Sequence, residues 1–135
     1  MRFMMFMYPG IEESEWEPDA EAVAEMGRYN EELTKAGVLL ALDGLHAPAK
    51  GARVTFQGGK RTVTDGPFSE AKEVVGGYWM IQVRSKEEAI QWASRCPAQD
   101  CMIEVRQVYE MSDFPEDVQA AGALSQDPPQ QTTAS

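Results

Sequence analysis

Apolar side chains fill positions 3–8 without a break (Phe3, Met4, Met5, Phe6, Met7, Tyr8) until Pro9-Gly10 stops the run. An apolar stretch this short reads as a strand rather than a helix. Successive strand side chains point to opposite faces, so Phe3, Met5 and Met7 lie on one side and Met4, Phe6 and Tyr8 on the other. Both faces of this strand are apolar, and the sheet that holds it has to be covered on both sides.

The period then lengthens. Pro18 just inside a start, Asp19 and Glu21 in the first turn and Gly37 just past the end bracket a helix of about five turns. Its buried stripe is expected at Val23, Met26, Asn30 and Leu33, flanked by Ala22 and Tyr29. Val38 to Leu45 reads as a second strand closed by Gly44 and Pro48. Arg53–Gln57 and Lys60–Thr64 flank Gly58-Gly59, a two-residue turn that accepts positive φ at both centres, which predicts a β-hairpin. Ser69 to Val75 suggests a helical turn or two before Gly76-Gly77, and Tyr78 to Val83 the next strand. Ser85 with Glu88 three residues on forms a capping box for a helix carrying Ala89, Trp92, Ala93 and Cys96 until Pro97. Met102 to Tyr109 is the last main strand. From Ser112 onward Pro, Gln, Ser, Thr and Ala dominate without periodicity, so residues 112–135 are expected to be a flexible tail to a domain spanning 1–111.

The order β-α-β, hairpin, β-α-β predicts an α+β fold of the ferredoxin-like split β-α-β type with an inserted β-hairpin. Helices then cover one sheet face, and the two-sided first strand leaves the other to a second copy, hence a homodimer. A chain of 135 residues, 43% apolar and 25% charged, forms such a core without metal or disulfide staples. The formal net charge of −10 repels nucleic-acid phosphates and anionic membranes, so neither is an expected partner. Cys96 and Cys101 match neither a redox pair nor a zinc knuckle and read as structural thiols of a reducing compartment. The opening apolar run is too short for a secretory h-region and meets Glu12-Glu13-Ser14-Glu15 directly, which favours a cytoplasmic location.

Strand parity sorts the candidate chemistry. If Trp79, Ile81, Val83, Ile103 and Val105 pack under the helices, then Tyr78, Met80 and Gln82 share the opposite face with Glu104 and Arg106. A carboxylate and a guanidinium on a largely covered face either pair with each other near a strand end or line a ligand cleft. Asp65-Gly66-Pro67-Phe68 is unusual because an Asp in a turn generally accepts the N–H two residues on, and here that residue is Pro67, which has none. Asp65 then either caps the following segment through the N–H groups of Phe68 or Ser69 or directs a fixed carboxylate elsewhere for acid–base work. His46, the single histidine, lies beyond the second strand and is either a proton carrier or an ordinary surface residue. No His/Cys cluster has zinc spacing and no acidic run resembles a calcium loop, so neither metal nor cofactor is expected. Ser69-Glu70-Ala71-Lys72 matches a two-residue Ser-x-x-Lys pattern that arises readily by chance, and its companion motifs are absent. Lys50, Arg53, Lys60 and Arg61 form a basic island with no acid between Gly44 and Thr64, suited to an anion or acidic partner, or to keeping hairpin edges apart.

Thr64-Asp65-Gly66-Pro67-Phe68-Ser69-Glu70-Ala71-Lys72-Glu73, followed by Gly76-Gly77-Tyr78, resembles the DGPF branch of the YCII-related proteins. Gly44-Leu45 with Pro48, Glu88-Ala89, Trp92-Ala93, Cys96-Pro97 and Glu104-Val105-Arg106 agree in order, and the resemblance covers most of residues 1–110. It implies a ferredoxin-like subunit and a dimeric α+β barrel. It also implies a His–Asp pair with the histidine in the first helix, yet Pro18 to Ala36 contains no histidine, so only Asp65 carries over. The sequence therefore points to a small-molecule-binding homodimer, with a small anionic ligand and acid–base catalysis as an open question. Asp65 and His46 are the candidate catalytic groups, and Arg106, Glu104, Tyr78 and Phe68 the candidate ligand contacts. The alternative implied by the resemblance is a protein-interaction accessory associated with an extracytoplasmic-function sigma factor.

Overall fold

The computed structural model describes residues 1–12, 15–67 and 74–122. The chain runs β1 (Arg2–Tyr8), α1 (Ala20–Lys35), β2 (Leu39–Gly44), a 3₁₀ turn (Pro48–Lys50), β3 (Ala52–Gln57), β4 (Lys60–Asp65), β5 (Gly77–Gln82), α2 (Lys86–Ser94), β6 (Met102–Gln107), a second 3₁₀ turn (Met111–Asp113) and α3 (Glu116–Gly122). Four strands form one antiparallel sheet in the order β2-β5-β1-β6, and β3-β4 form a separate two-stranded ribbon. β5 enters between β1 and β2, the split β-α-β arrangement of an α+β ferredoxin-like fold. The helical segment expected over Ser69 to Val75 lies largely outside the described residues. Among the described residues no helix is long and apolar enough to cross a membrane.

Local chemistry sets the ends of α1. The carboxylate of Asp19 accepts a hydrogen bond from the Ala22 N–H at 2.8 Å, so Asp19 is the N-cap rather than a first-turn residue. At the other end Gly37 takes φ +74°, the Gly37 N–H donates to the Thr34 carbonyl (3.0 Å) and the Val38 N–H to that of Leu33 (3.2 Å). That pair of bonds is a Schellman closure, and the buried Val38 and Leu33 supply its apolar contact. α2 starts on Ser85, whose hydroxyl accepts from the Glu88 N–H at 3.1 Å, while the Glu88 carboxylate reaches one residue further back, to the Arg84 N–H. The expected capping box is thus opened by one residue.

β1 pairs antiparallel with β5 on one edge and β6 on the other, with Phe3 opposite Ile81 and Gln107, and Met5 opposite Trp79 and Val105. These residues point to the face covered by α1 and α2. There Phe3, Met5, Trp79 and Ile81 meet Tyr29 and Leu33 of α1, Ala89 of α2, Val38 and Val83. Burial of each large side chain contributes roughly 1.5–3 kcal/mol. The stripe of α1 differs from the expected one: Val23 is 56% exposed, whereas Tyr29 is 3% exposed and belongs to the core. Met26, Tyr29, Asn30 and Leu33 face inward, and polar partners explain why Tyr29 and Asn30 are tolerated there. The Tyr29 hydroxyl donates to the Trp92 carbonyl at 2.6 Å, its ring meets Trp79 edge-on at 5.7 Å, and Trp79 Nε1 donates to Asn30 Oδ1 at 2.8 Å. Burial holds the Tyr29 phenol well above the ordinary tyrosine range.

The hairpin forms as the Gly-Gly signal predicts, with Gly58 at φ +58° and Gly59 at φ +79°. Val54 faces Val63 and Phe56 faces Arg61 across it, and every residue from Ala52 to Asp65 is exposed. Beyond β6 the chain carries helical structure where its composition led us to expect none. Glu110 and Asp113 cap the second 3₁₀ turn reciprocally, and the Tyr109 and Phe114 rings stack at 4.6 Å. Arg2 ties this segment to β1 through two hydrogen bonds to Glu110, 2.8 and 3.3 Å.

Leu33→Ala is expected to lower unfolding stability by about 2–5 kcal/mol in urea titrations, because a fully buried side chain is deleted from a packed layer. Asn30→Ala, which strands the Trp79 N–H, is expected to cost about 1–3 kcal/mol. The Arg2 hydrogen bonds hold the Glu110 carboxyl below the ordinary carboxylate range. Its contribution is therefore present above the unfolded-state pKa of glutamate and is lost as pH falls through the depressed native value. An NMR titration of the Glu110 carboxyl should show the depression, and Arg2→Ala should return it towards the ordinary value.

Candidate functional site

The face of the sheet turned away from α1 and α2 carries most of the unusual chemistry. Cross-strand register places Asp43 (β2), Tyr78 (β5), Phe6 (β1) and Glu104 (β6) in one row across all four strands. The neighbouring row is Ala41, Met80, Met4 and Arg106. The Tyr78 hydroxyl donates to Asp43 Oδ2 at 2.9 Å, and the Tyr8 hydroxyl donates to Glu104 Oε1 at 2.9 Å. Glu104 also accepts from Arg106 through its second oxygen, at 3.5 Å. Two phenol–carboxylate pairs thus stand on either side of Phe6, with strands two apart in a sheet separated by about 10 Å. The hydrogen bond to Asp43 holds the proton on the Tyr78 phenol and raises its pKa above the ordinary tyrosine value.

Parity brings Tyr78, Glu104 and Arg106 together as expected from the sequence. Asp43 and Phe6 complete the row and Tyr8 reaches Glu104 from further along β1, and the sequence analysis did not single these three out as site residues. Asp43 carried a signal, as the one charged residue in the strand Leu39–Gly44, but its pairing with Tyr78 depends on a register that the sequence does not state. A bulge at Leu40 sets that register.

Asp65 and His46 sit on the connection between β2 and β5, at the end of the sheet where Asp43 and Tyr78 lie. Both are exposed, and among the described residues no side-chain hydrogen bond or ion pair joins either to a neighbour. Asp65 closes β4 opposite Ala52. Gly66 follows through a cis peptide to Pro67, and its N–H donates to the Gly51 carbonyl at 3.0 Å. A Cβ on Gly66 would collide with the carbonyl of Pro48, which is buried as the first residue of its 3₁₀ turn. The glycine of this motif is therefore a packing requirement. Phe68 and Ser69, the other expected partners of Asp65, lie outside the described residues.

Two clefts open elsewhere. One of about 510 Å³ follows α2 past Arg84, Glu88, Trp92 and Arg95. The other, about 330 Å³, lies between α2 and β6, lined by Ile90, Ala93, Cys96, Cys101, Ile103 and Val105. Burial raises both thiols above the ordinary cysteine value, so they stay protonated near neutrality. Neither cleft contains the phenol–carboxylate row. Among the described residues no three His, Cys, Asp or Glu side chains converge as a metal site.

In Asp43→Asn the Tyr78 phenol should titrate closer to an ordinary tyrosine, as followed by ultraviolet difference spectra with Tyr78→Phe as the assignment control. Gly66→Ala should cost about 1–3 kcal/mol in urea unfolding through overpacking against Pro48. Gly44→Ala, where an added methyl meets open space, should stay within roughly 0.5 kcal/mol of the parent.

An uncharacterized protein of Rhizobium meliloti (strain 1021) is 29% identical over 77 residues, which span 57% of this chain and 62% of that protein's length. The family model of the YCII-related domain matches residues 1–112, from the first residue of the chain to the second 3₁₀ turn. With the split β-α-β sheet, its inserted hairpin and the Asp65-Gly66-Pro67 segment all inside that span, the chain belongs to the YCII-related family.

Proposed function

We propose that the open sheet face closes against the same face of a second copy, forming a dimeric α+β barrel whose cleft binds a small anionic molecule. The observation that carries this reading is the row Asp43–Tyr78–Phe6–Glu104, in which two proton-holding phenol–carboxylate pairs flank an aromatic ring on a half-buried face. An antiparallel sheet that meets water on one side normally alternates apolar inward with polar outward. β1 instead offers Met4, Phe6 and Tyr8 to this face, with Met80 and Tyr78 beside them. An apolar surface of this kind favours association, and a two-fold axis makes the patch its own complement.

Within such a cleft the roles follow from charge. Arg106 is the cation for a carboxylate or similar anion, and Phe6 and Met80 hold an apolar body. Tyr78 and Tyr8 present hydroxyls whose protons are already committed to carboxylates, so a ligand acceptor has to displace Asp43 or Glu104 to receive them. Such an exchange moves a hydrogen bond and no proton; the acid–base groups of this reading are Asp65 and His46, on the connection between β2 and β5.

Phe6→Arg, which puts a charge at the centre of the face, should convert a dimer to a monomer in sedimentation velocity while leaving the far-ultraviolet spectrum unchanged. In thermal-shift measurements against small mono- and dicarboxylic acids, at least one should raise the Tm of the parent, and Arg106→Ala should abolish the shift. Asp65→Asn should bind as the parent does but lose any turnover found. An unaltered sedimentation coefficient in Phe6→Arg, together with no stabilising acid, would sink the proposal.

A further inference from the structure

We propose that the β3–β4 hairpin is an arm that grips the acidic body of a second copy of this chain. It is an interaction surface separate from the open sheet face. The inference shares with the reading above the premise of self-association.

The hairpin is amphipathic across its width. Register puts Val54, Phe56, Val63 and Arg61 on one side and Arg53, Thr55, Gln57, Lys60, Thr62 and Thr64 on the other. The apolar side is open to solvent, with Val54 51%, Phe56 70% and Val63 65% exposed. An isolated two-stranded hairpin is at best marginal in water and generally needs a third strand or a packed face. This one has an apolar face ready for packing and, among the described residues, nothing in its own chain seated on it.

Charge selects the occupant. The segment 45–64 carries Lys50, Arg53, Lys60 and Arg61 and no acid; subtracting those four charges from a formal net −10 leaves the rest of the chain at −14. A second hairpin is excluded as the occupant, because two such segments repel and charged edges oppose strand-to-strand pairing. An acidic surface with apolar patches fits, and the body of another copy is one: α1 exposes Glu21 and Glu31, and Val23 lies open on the same helix. Arg61 lies over the Phe56 ring at 5.7 Å from its centroid, so the aromatic contact and the cation reach the partner together. If each copy's arm grips the other, the contact occurs twice about one axis and closes the dimer.

The test replaces the contact residue with a photoreactive one, Phe56→benzoylphenylalanine, in the full chain, and maps the cross-linked peptides by mass spectrometry. A covalent dimer linked from position 56 to an acidic segment of the other copy is expected. Phe56→Ser combined with Val63→Ser should weaken self-association about tenfold or more in sedimentation equilibrium, as loss of two buried apolar groups requires. Added salt should weaken the parent further than Lys60→Glu with Arg61→Glu, which removes the attraction. Because the substituted residues are exposed, circular dichroism should report an intact body. Cross-links confined to one chain, or undiminished association of the double serine variant, overturn the proposal. Phe6→Arg separates the two readings: a dimer that dissociates in Phe6→Arg but not in the serine variant defeats only the arm, and the reverse defeats only the sheet-face reading.

Discussion

Everything in this fold is arranged around β1, a strand apolar on both faces and paired on its two edges with β5 and β6, the strands of the second β-α-β half. Backbone hydrogen bonding to β5 and β6 satisfies its polar groups completely along the strand, which leaves side-chain burial to decide what covers it. On one side Phe3 and Met5 are sealed by α1 and α2. On the other Met4, Phe6 and Tyr8 are only half covered within a single chain. A strand placed at the centre of a sheet cannot give up its apolar character on one face without leaving that face polar for every neighbour. The chemistry of the open side is accordingly built on the flanking strands, with Asp43 and Tyr78 to one side of β1 and Glu104 and Arg106 to the other.

Hydrogen-bond satisfaction explains how polar residues coexist with this packing. Asn30 and Tyr29 look misplaced in an amphipathic stripe, yet each answers a group that burial would otherwise strand: Asn30 the Trp79 indole N–H, and Tyr29 the Trp92 carbonyl. An unanswered donor in that layer costs about as much as the loss of a small apolar side chain. The same logic on the open face leads to phenol–carboxylate pairs instead, because acceptors there are charged and the surroundings are wetter.

Much of the architecture was legible in the sequence because it rests on local chemistry. The Gly58-Gly59 turn, the Gly37 stop and the alternation in β5 and β6 act within a few residues, and parity alone put Tyr78, Glu104 and Arg106 on one face. Features that depend on distant contacts were not legible. Val23 and Tyr29 both lie on the apolar side of α1, and only the reach of Tyr29 to Trp79 and Trp92 shows which is buried. The Asp43–Tyr78 pair requires the bulge at Leu40, and the helical turns after Met111 are held by Arg2 from the other end of the chain. The Arg2–Glu110 pair and the reciprocal caps that accompany those turns are features that composition does not carry.

The Asp65-Gly66-Pro67 segment divides along the same line. Its proline and aspartate attract attention because a turn aspartate has lost its usual donor, a local argument. Its glycine is required for another reason, the approach of Pro48 from across the loop, which leaves no room for a Cβ. A motif whose glycine serves packing does not become a catalytic signature through that glycine. The case for chemistry in this segment rests on Asp65 alone, an exposed carboxylate at the end of β4, and is weaker than the case for the paired carboxylates of the sheet. Asp43 and Glu104 accept defined hydrogen bonds from the Tyr78 and Tyr8 hydroxyls, whereas Asp65 has no such partner among the described residues, and for that reason the open face, more than the motif, is the better supported candidate site.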